Sequence, residues 1–332
     1  MPGYPSPLMH ASTLRCLTLL IAFAIGIARG ADAADADGPV VSRSVWLVMG
    51  ASGDPDLADS FLRQVHTWQE TAARAGITAR LIGDSPENPT NDGSRLRDAL
   101  AGEPTNGNEE LWLVLIGHGT FDGREAKFNL RGPDVSATEL ASWLNPIHRP
   151  VIVVDTTSAS APFLNKLKAT NRVVVTATRS GNEQNYSRFG SFLAEAIANP
   201  AADLDQDGQT SLLEAFLSAS HRSAEFYQSA GRLATDHALL DDNGDGQGTP
   251  ADWFRGILAV KKPKKDVRVD GLRAHQVNLV PSAAERQLTP ERRRQRDELE
   301  RQVAQLREEK THLSEVEYYL RLEKLLLELA RI

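Results

Sequence analysis

Hydrophobic runs alternate with amphipathic stretches through the first two thirds of the chain. Between the runs, apolar residues recur every three or four positions, which predicts helices at 56–76, 92–102, 136–145 and 163–170. The runs themselves are short and rich in β-branched residues, which indicates buried strands at 44–50, 77–83, 110–119, 149–155 and 172–181. This alternation predicts an α/β protein, a three-layer α/β/α sandwich with a mostly parallel sheet of about six strands.

The pattern changes after residue 256. Residues 257–288 show no sustained period and a cluster of lysines, which favours a solvated linker or an extended strap over a nucleic-acid patch. Residues 289–332 predict a C-terminal helical hairpin or coiled coil, with Thr289-Pro290 as its start and Ser314 with Glu317 as a capping box. This hairpin either folds back on its own domain or projects as an arm for self-association or partner docking.

The first residues have the features of a secretory signal peptide, which we assign to 1–32. Arg15 precedes the apolar run "CLTLLIAFAIGIA", and small residues follow it. We therefore expect an exported protein, periplasmic or secreted, with no stable membrane span after cleavage. Cys16 is the only cysteine, so the mature chain would have neither disulfides nor a thiol nucleophile. A net charge of -7 argues against a nucleic-acid partner.

Candidate chemistry lies where two predicted strands end. The third strand ends in Gly117-His118-Gly119, and the fourth ends in Asp155 followed by the hydroxyl side chains of Thr156, Thr157, Ser158 and Ser160. Ligands of open parallel sheets bind beyond the carboxyl ends of the strands. If the two strands are neighbours, His118 and the hydroxyl cluster therefore face one crevice.

The segments "VLIGHGT" and "VIVVDTTSAS", separated by one helical crossover, resemble the caspase-like fold, and within it the legumain and GPI-transamidase branch of cysteine peptidases. The resemblance covers about residues 44–256, and we assign 40–256 to this domain. It implies that His118 stands at the position of the general base and Thr157 at that of the nucleophilic cysteine. It also implies that the loop within 176–197 borders the substrate pocket, where Arg179, Glu183 and Arg188 either line that pocket or are ordinary surface charges.

A threonine at the nucleophile position changes the expected chemistry. Cysteine peptidases depend on a thiolate, which a threonine hydroxyl cannot supply, and threonine nucleophiles are usually activated by their own terminal amine. We therefore predict a pseudo-peptidase that serves as a calcium-stabilised binding or scaffold module, with a protein or peptide ligand in the crevice and no organic cofactor. The alternative is a hydrolase with Ser158 or Thr157 as nucleophile, His118 as general base and Asp155 nearby.

Two acidic loops have the spacing of EF-hand calcium loops, in which oxygen ligands alternate around a sharp glycine turn. The first, 203–214, offers the ligands Asp203, Asp205, Asp207, Gln209, Ser211 and Glu214 around Gly208. The second, 241–252, offers Asp241, Asn243, Asp245, Gln247, Thr249 and Asp252 around Gly246. The alternative for both is an acidic turn that caps a helix. We predict structural calcium, with affinity on the order of 10⁻⁴–10⁻³ M.

Overall fold

The structure of the chain, a computed structural model, describes residues 43–84, 91–262 and 268–332. The predicted signal peptide 1–32 lies outside these residues. Of the helices in the described ranges, none is long and apolar enough to cross a membrane.

Twelve strands and ten helices are described. The strands are β1 Ser44–Met49, β2 Arg80–Ile82, β3 Leu111–Ile116, β4 Gly119–Phe121, β5 Ala126–Phe128, β6 Val135–Ser136, β7 Val151–Asp155, β8 Arg172–Thr176, β9 Leu239–Asp241, β10 Thr249–Pro250, β11 Phe254–Arg255 and β12 Leu258–Ala259. The helices are α1 Pro55–Arg74, α2 Asp92–Ala101, α3 Ala137–Leu144, α4 Ala161–Leu167, α5 Phe189–Ala196, α6 Leu212–Ser229, α7 Leu272–Gln276, α8 Ala283–Gln287, α9 Pro290–Glu309 and α10 Glu315–Leu329.

A seven-stranded sheet forms the middle layer, in the order β10-β9-β8-β7-β3-β1-β2. The five strands from β8 to β2 in this order run parallel, and β9 pairs antiparallel with β8. Their β-branched and leucine side chains are buried on both faces, as expected of a parallel sheet that is covered twice. The predicted α/β class with a mostly parallel sheet is confirmed.

Two hydrophobic clusters lie on opposite faces of this sheet, because successive strand side chains point to opposite sides. On one face, α1, α5 and α6 contribute buried residues that include Trp68, Phe189 and Phe216. On the other face, α2, α3 and α4 contribute Leu96, Leu140 and Phe163 among others. The chain is thus a three-layer α/β/α sandwich.

A small second sheet stands beside the main one and was not predicted. Strands β4, β5 and β6 pair antiparallel in this order directly after β3, with Gly119 opposite Phe128. The predicted strand 110–119 therefore ends early, at Ile116, and the chain turns into the new sheet. Strands of two or three residues are too short to show an alternating pattern in the sequence.

An ion pair is buried at the amino-terminal edge of the main sheet. Arg149, fully buried, donates to Glu103 Oε2 at 2.7 Å. Glu103 also accepts from the Trp46 indole N–H at 2.7 Å and from the Ser44 hydroxyl at 2.8 Å. Its carboxylate thereby joins the start of β1 to the segment that precedes β7.

Residues 272–279 lie within the segment that was predicted as a linker or an extended strap, and they pack against the core. Ala274, Val277 and Leu279 belong to the hydrophobic cluster of α1, α5 and α6. The Leu212 N–H donates to the Val277 carbonyl at 2.8 Å, at the start of α6. Residues 272–279 are a strap that completes the core, and the apolar residues of this part of the chain lack a period because α7 and α8 have five residues each.

The C-terminal helical hairpin is confirmed. Thr289 caps α9 through the Arg292 N–H, and the Arg292 side chain reaches the Ile332 carbonyl, so α9 and α10 run antiparallel. The predicted capping box of α10 is only half formed: Ser314 accepts from the Glu317 N–H, while the Glu317 carboxylate binds Arg321. Helix α9 packs against α7, where Gln276 donates to Glu300 at 2.8 Å.

Candidate functional site

The carboxyl ends of β3 and β7 lie side by side. The two strands pair in parallel with Leu115 opposite Asp155, so the residues that follow them emerge at the same edge of the sheet. His118 is the second residue after β3, and Thr157 is the second residue after β7. The adjacency on which the sequence interpretation depends is therefore present.

The two strand ends are in direct contact through Gly119. Its N–H donates to Ser158 Oγ at 3.2 Å, and the Ser158 hydroxyl donates to the Gly119 carbonyl at 3.0 Å. A Cβ at this position would lie 2.2 Å from the Ser158 carbonyl oxygen and 2.9 Å from Thr157 Oγ1. Any side chain here would push the two segments apart, so the glycine of the His-Gly dipeptide is required by packing.

The Thr157 hydroxyl faces inward. It is fully buried and donates to Asp155 Oδ1 at 2.6 Å, and the Thr157 N–H donates to the same oxygen at 3.0 Å. Asp155 Oδ2 is buried and has no hydrogen-bond partner among the described residues. Burial raises the pKa of Asp155 to about 7, although the two bonds from Thr157 act in the opposite direction.

His118 is engaged elsewhere. Its Nε2 lies 3.1 Å from the Ser52 carbonyl oxygen, and because a carbonyl can only accept, Nε2 carries a proton and donates. The ring packs edge-on against Phe61, with centroids 5.4 Å apart, and against Tyr186 at 6.3 Å. Within the described part of the chain, no hydrogen bond joins His118 to Thr157 or Ser158. The structure brings these residues to one edge without forming a nucleophile–base pair.

The aromatic wall of this crevice was missed from sequence. Phe61 lies on α1, where the amphipathic pattern indicates only a core position, and Ser52 gives no sequence signal. Tyr186, whose hydroxyl lies 2.8 Å from Ser60 Oγ, belongs to the loop that the resemblance places beside the substrate pocket. Its position in that loop is the one sequence feature that pointed to Tyr186. Ala159, directly after the hydroxyl cluster, has a positive φ of 54°, a strained conformation of the kind that concentrates at functional sites.

The charged residues of the loop after β8 bind one another. Glu183 accepts from the Arg179 N–H at 3.0 Å and lies 2.7 Å from His237 Nδ1. Arg188 instead stacks over the Phe226 ring at 4.1 Å. Glu183 thus ties the loop to the segment before β9, and the Ala159 N–H donates to its carbonyl at 2.7 Å.

The first acidic loop brings three carboxylates together. Oxygens of Asp203, Asp205 and Glu214 lie within 4.8 Å of one another, the one group of this kind in the described ranges. Gly208 has a positive φ of 88°, as the sharp turn of an EF-hand loop requires. Ser211 caps α6 and forms a capping box with Glu214, and the Glu214 carboxylate also accepts from the Leu204 N–H at 2.7 Å, which is the arrangement of the alternative, an acidic turn that caps a helix. The donor set is hard oxygen, which suits calcium.

The second acidic loop repeats the backbone turns of the first but closes on a different carboxylate, that of Asp270. Asp241 accepts from the Gly244 and Gly246 N–H groups, both at 2.8 Å, and Asn243 and Asp245 accept from backbone N–H groups two residues on. The Thr249 hydroxyl donates to Asp270 at 2.5 Å, and Asp252 lies in the 3-10 helix Ala251–Trp253. Asp241, Asp245 and Asp252 do not form a three-carboxylate group. Calcium at this loop stays a prediction from its spacing.

No family model and no curated protein match the chain. Among solved structures, the Drosophila initiator caspase Dronc is similar at a TM-score of 0.41 and 14% identity, covering 63% of this chain and 83% of its own. Caspase-1 from Spodoptera frugiperda gives 0.36 and 10%, covering 63% and 92%. Protein GSU0716 from Geobacter sulfurreducens gives 0.40 and 11%, covering 60% and 92%. These likenesses are remote, and the fold class rests on the topology of this chain.

Proposed function

We propose that the chain is an exported caspase-like pseudo-peptidase, related to the legumain branch, whose crevice beyond β3 and β7 binds a protein or peptide ligand without cleaving it. The observation that carries the proposal is the buried Thr157 hydroxyl, which takes the place of the family's thiol and donates to Asp155 at 2.6 Å. A nucleophile must instead be open to its substrate and bonded to a base. Here the family's position holds a structural hydroxyl.

The hydrolase alternative needs His118 to accept a proton from Ser158 or Thr157 and to be oriented by a carboxylate. Ser158 is buried and bonded to Gly119, and the Nε2 of His118 donates to Ser52. Asp155 bonds Thr157 and is held neutral below about pH 7 by burial, which does not suit an acid that stabilises an imidazolium. Ser158 and Asp155 are thus engaged in ways that oppose catalysis, whereas the bond of His118 to Ser52 leaves Nδ1 as the acceptor nitrogen and does not by itself exclude a base.

The crevice retains features of a recognition surface. His118 and Tyr186 are half-buried and lie near the fully buried ring of Phe61, so the aromatic wall at the strand ends offers two partly exposed rings. Such surfaces supply apolar contact area at low entropic cost and often dominate binding to peptides. A peptide with an apolar anchor side chain is the ligand class that this wall fits.

A fluorophosphonate probe and a pool of random peptides test this function together. We expect no covalent labelling and no peptide turnover, but retention of peptides that His118→Ala releases. The matched control is His221→Ala, because His221 is exposed on α6, and it should retain them. Labelling that His118→Ala abolishes would establish the hydrolase instead, and cleavage restored by Thr157→Cys would show that only the thiol is missing.

Calcium enters the proposal as a structural ion at the first acidic loop. Asp203, Asp205 and Glu214 would supply carboxylate oxygens, and the Gln209 carbonyl stands at the seventh loop position. Asp205 also lies 2.8 Å from His275 on α7, so an ion here would strengthen the attachment of the strap to the α/β part.

A further inference from the structure

Helix α10 has apolar side chains on two sides. On the side toward α9, Tyr318 is buried and Leu322, Leu325 and Leu329 are partly buried. On the rest of the helix, five large apolar residues are between 44% and 71% exposed; this outer stripe consists of Val316, Tyr319, Leu320, Leu326 and Leu327. At its flank, Tyr319 contacts Tyr318 and Leu326 borders a cavity with Val303 of α9, while Val316, Leu320 and Leu327 face away from the other described residues.

The outer stripe differs from ordinary surface. Of the ten large hydrophobic residues that are exposed in the described ranges, half lie on this one helix. Their three-to-four spacing makes them a continuous strip, and Tyr319, Leu326 and Leu327 border a shallow groove of about 440 Å³. The exposed face of α9, in the same hairpin, contains charged and polar residues instead. Contiguous apolar surface of this kind marks a protein–protein contact.

The charges along α10 indicate which molecule binds the outer stripe and in which direction its helix runs. The helix begins with Glu315, followed by Glu317, which is already paired with Arg321, and Arg331 follows its end. A second α10 lying antiparallel would place the acidic start of each helix against the basic end of the other and would oppose the two helix dipoles. A parallel arrangement would bring like charges together. The same patch then serves both copies, as a twofold interface requires.

From the stripe and its charges, we propose that two copies of this chain associate through the outer stripe, with their α10 helices antiparallel and centred near Glu323. This polar residue interrupts the stripe at its middle and is flanked along the chain by Lys324. In the antiparallel arrangement, the Lys324 of one copy lies close to the Glu323 of the other, which compensates the two central carboxylates. The association is independent of the crevice and of its ligand.

Sedimentation equilibrium of the full chain over a range of concentrations tests the association. We expect a reversible dimer, and Leu320→Glu with Leu327→Glu should weaken it at least tenfold. Both leucines are exposed, so the double variant should melt at the wild-type temperature, which separates loss of association from loss of folding. Arg294→Glu on the exposed face of α9 is the control and should leave the dimer intact. A wild-type chain that stays monomeric, or a double variant that still dimerises, overturns the proposal.

Disulfide trapping tests the direction, because the chain has a single cysteine that Cys16→Ser removes. In that background, Glu323→Cys near the centre should form a cross-linked dimer under mild oxidation. Val316→Cys should not, since it lies about 10 Å along the helix from the centre and its two copies would be about 20 Å apart, beyond disulfide reach. Cross-linking at 316 without cross-linking at 323 would refute the antiparallel arrangement. A monomer that sediments with phosphatidylcholine vesicles would assign the stripe to lipid and overturn the proposal.

Discussion

The buried carboxyl of Asp155 should make the stability of this protein depend on pH in the direction opposite to that of a salt-bridged aspartate. Its pKa rises from 3.8 to about 7 in the folded state because burial disfavours the charge. Between these two values the folded state holds a proton that the unfolded state has lost. The contribution of this proton to the stability of the folded state is therefore complete below pH 3.8, and it is lost as the pH rises through 7.

The size of the effect follows from the pKa difference. Each pKa unit corresponds to about 1.4 kcal/mol in the free energy of unfolding, so the shift from 3.8 to about 7 amounts to about 4 kcal/mol. Of this stabilisation, about 2.5 kcal/mol is lost between pH 5 and pH 8. Asp155→Asn removes the titration and keeps an oxygen that can accept both bonds from Thr157. The variant should therefore become more stable relative to wild type as the pH rises, by about 2.5 kcal/mol over this range.

Urea unfolding at pH 5, 6, 7 and 8, at constant calcium concentration, measures both curves. Other buried carboxyls, such as Asp270, titrate in both proteins and cancel in the difference. Asp98→Asn, at an exposed aspartate on α2, is the control and should run parallel to wild type. If the Asp155→Asn curve also runs parallel to wild type, the carboxyl does not titrate in this range, and the reasoning on its neutral state fails.

Three further changes probe the packing, the loop and the ion pair. Gly119→Ala should lower the free energy of unfolding by about 1–3 kcal/mol because its Cβ meets the Ser158 carbonyl, whereas Gly102→Ala, with no contact closer than 3.5 Å, should be nearly neutral in the same urea titration. Thermal melts in 10 mM calcium and in EDTA should differ, with calcium stabilising the folded chain by about 1.4–2.7 kcal/mol, and Asp203→Asn should reduce this stabilisation. Equal melting temperatures in calcium and in EDTA would contradict a calcium site. Glu103→Ala should lower the free energy of unfolding by about 3–5 kcal/mol, because Arg149 stays buried without this carboxylate. Asp98→Ala, at an exposed ion pair, should lower it by less than about 1 kcal/mol. Similar losses for the two variants in urea unfolding would refute the role of burial.

The central strands β1, β3, β7 and β8 could be predicted from sequence because they have five or six residues and are mostly apolar. Val151 to Val154 is an example, and its alternation with amphipathic helices fixed the parallel topology. The adjacency of His118 and Thr157 followed from two strands joined by one crossover. The short strands β4 to β6 left no such pattern, and neither did β9 and β10, which pair through two or three residues each.

Side-chain direction at the crevice could not be predicted. The sequence places Thr157 after a strand, but its hydroxyl faces Asp155 only because Gly119 lets the two segments approach. The stacking of His118 on Phe61 and Tyr186 likewise depends on residues that are 57 and 68 positions away along the chain, which the tertiary fold brings together. Sequence patterns therefore predict where the helices and strands lie, but they do not predict which polar side chains contact one another at the ends of these elements.

The strap of residues 272–279 has a consequence for biogenesis. Ala274, Val277 and Leu279 occupy the core beside α6, yet the ribosome delivers them after every strand of the main sheet. A fragment that stops at residue 256 would leave that part of the interior open to water, so the sandwich closes only after synthesis has passed residue 279.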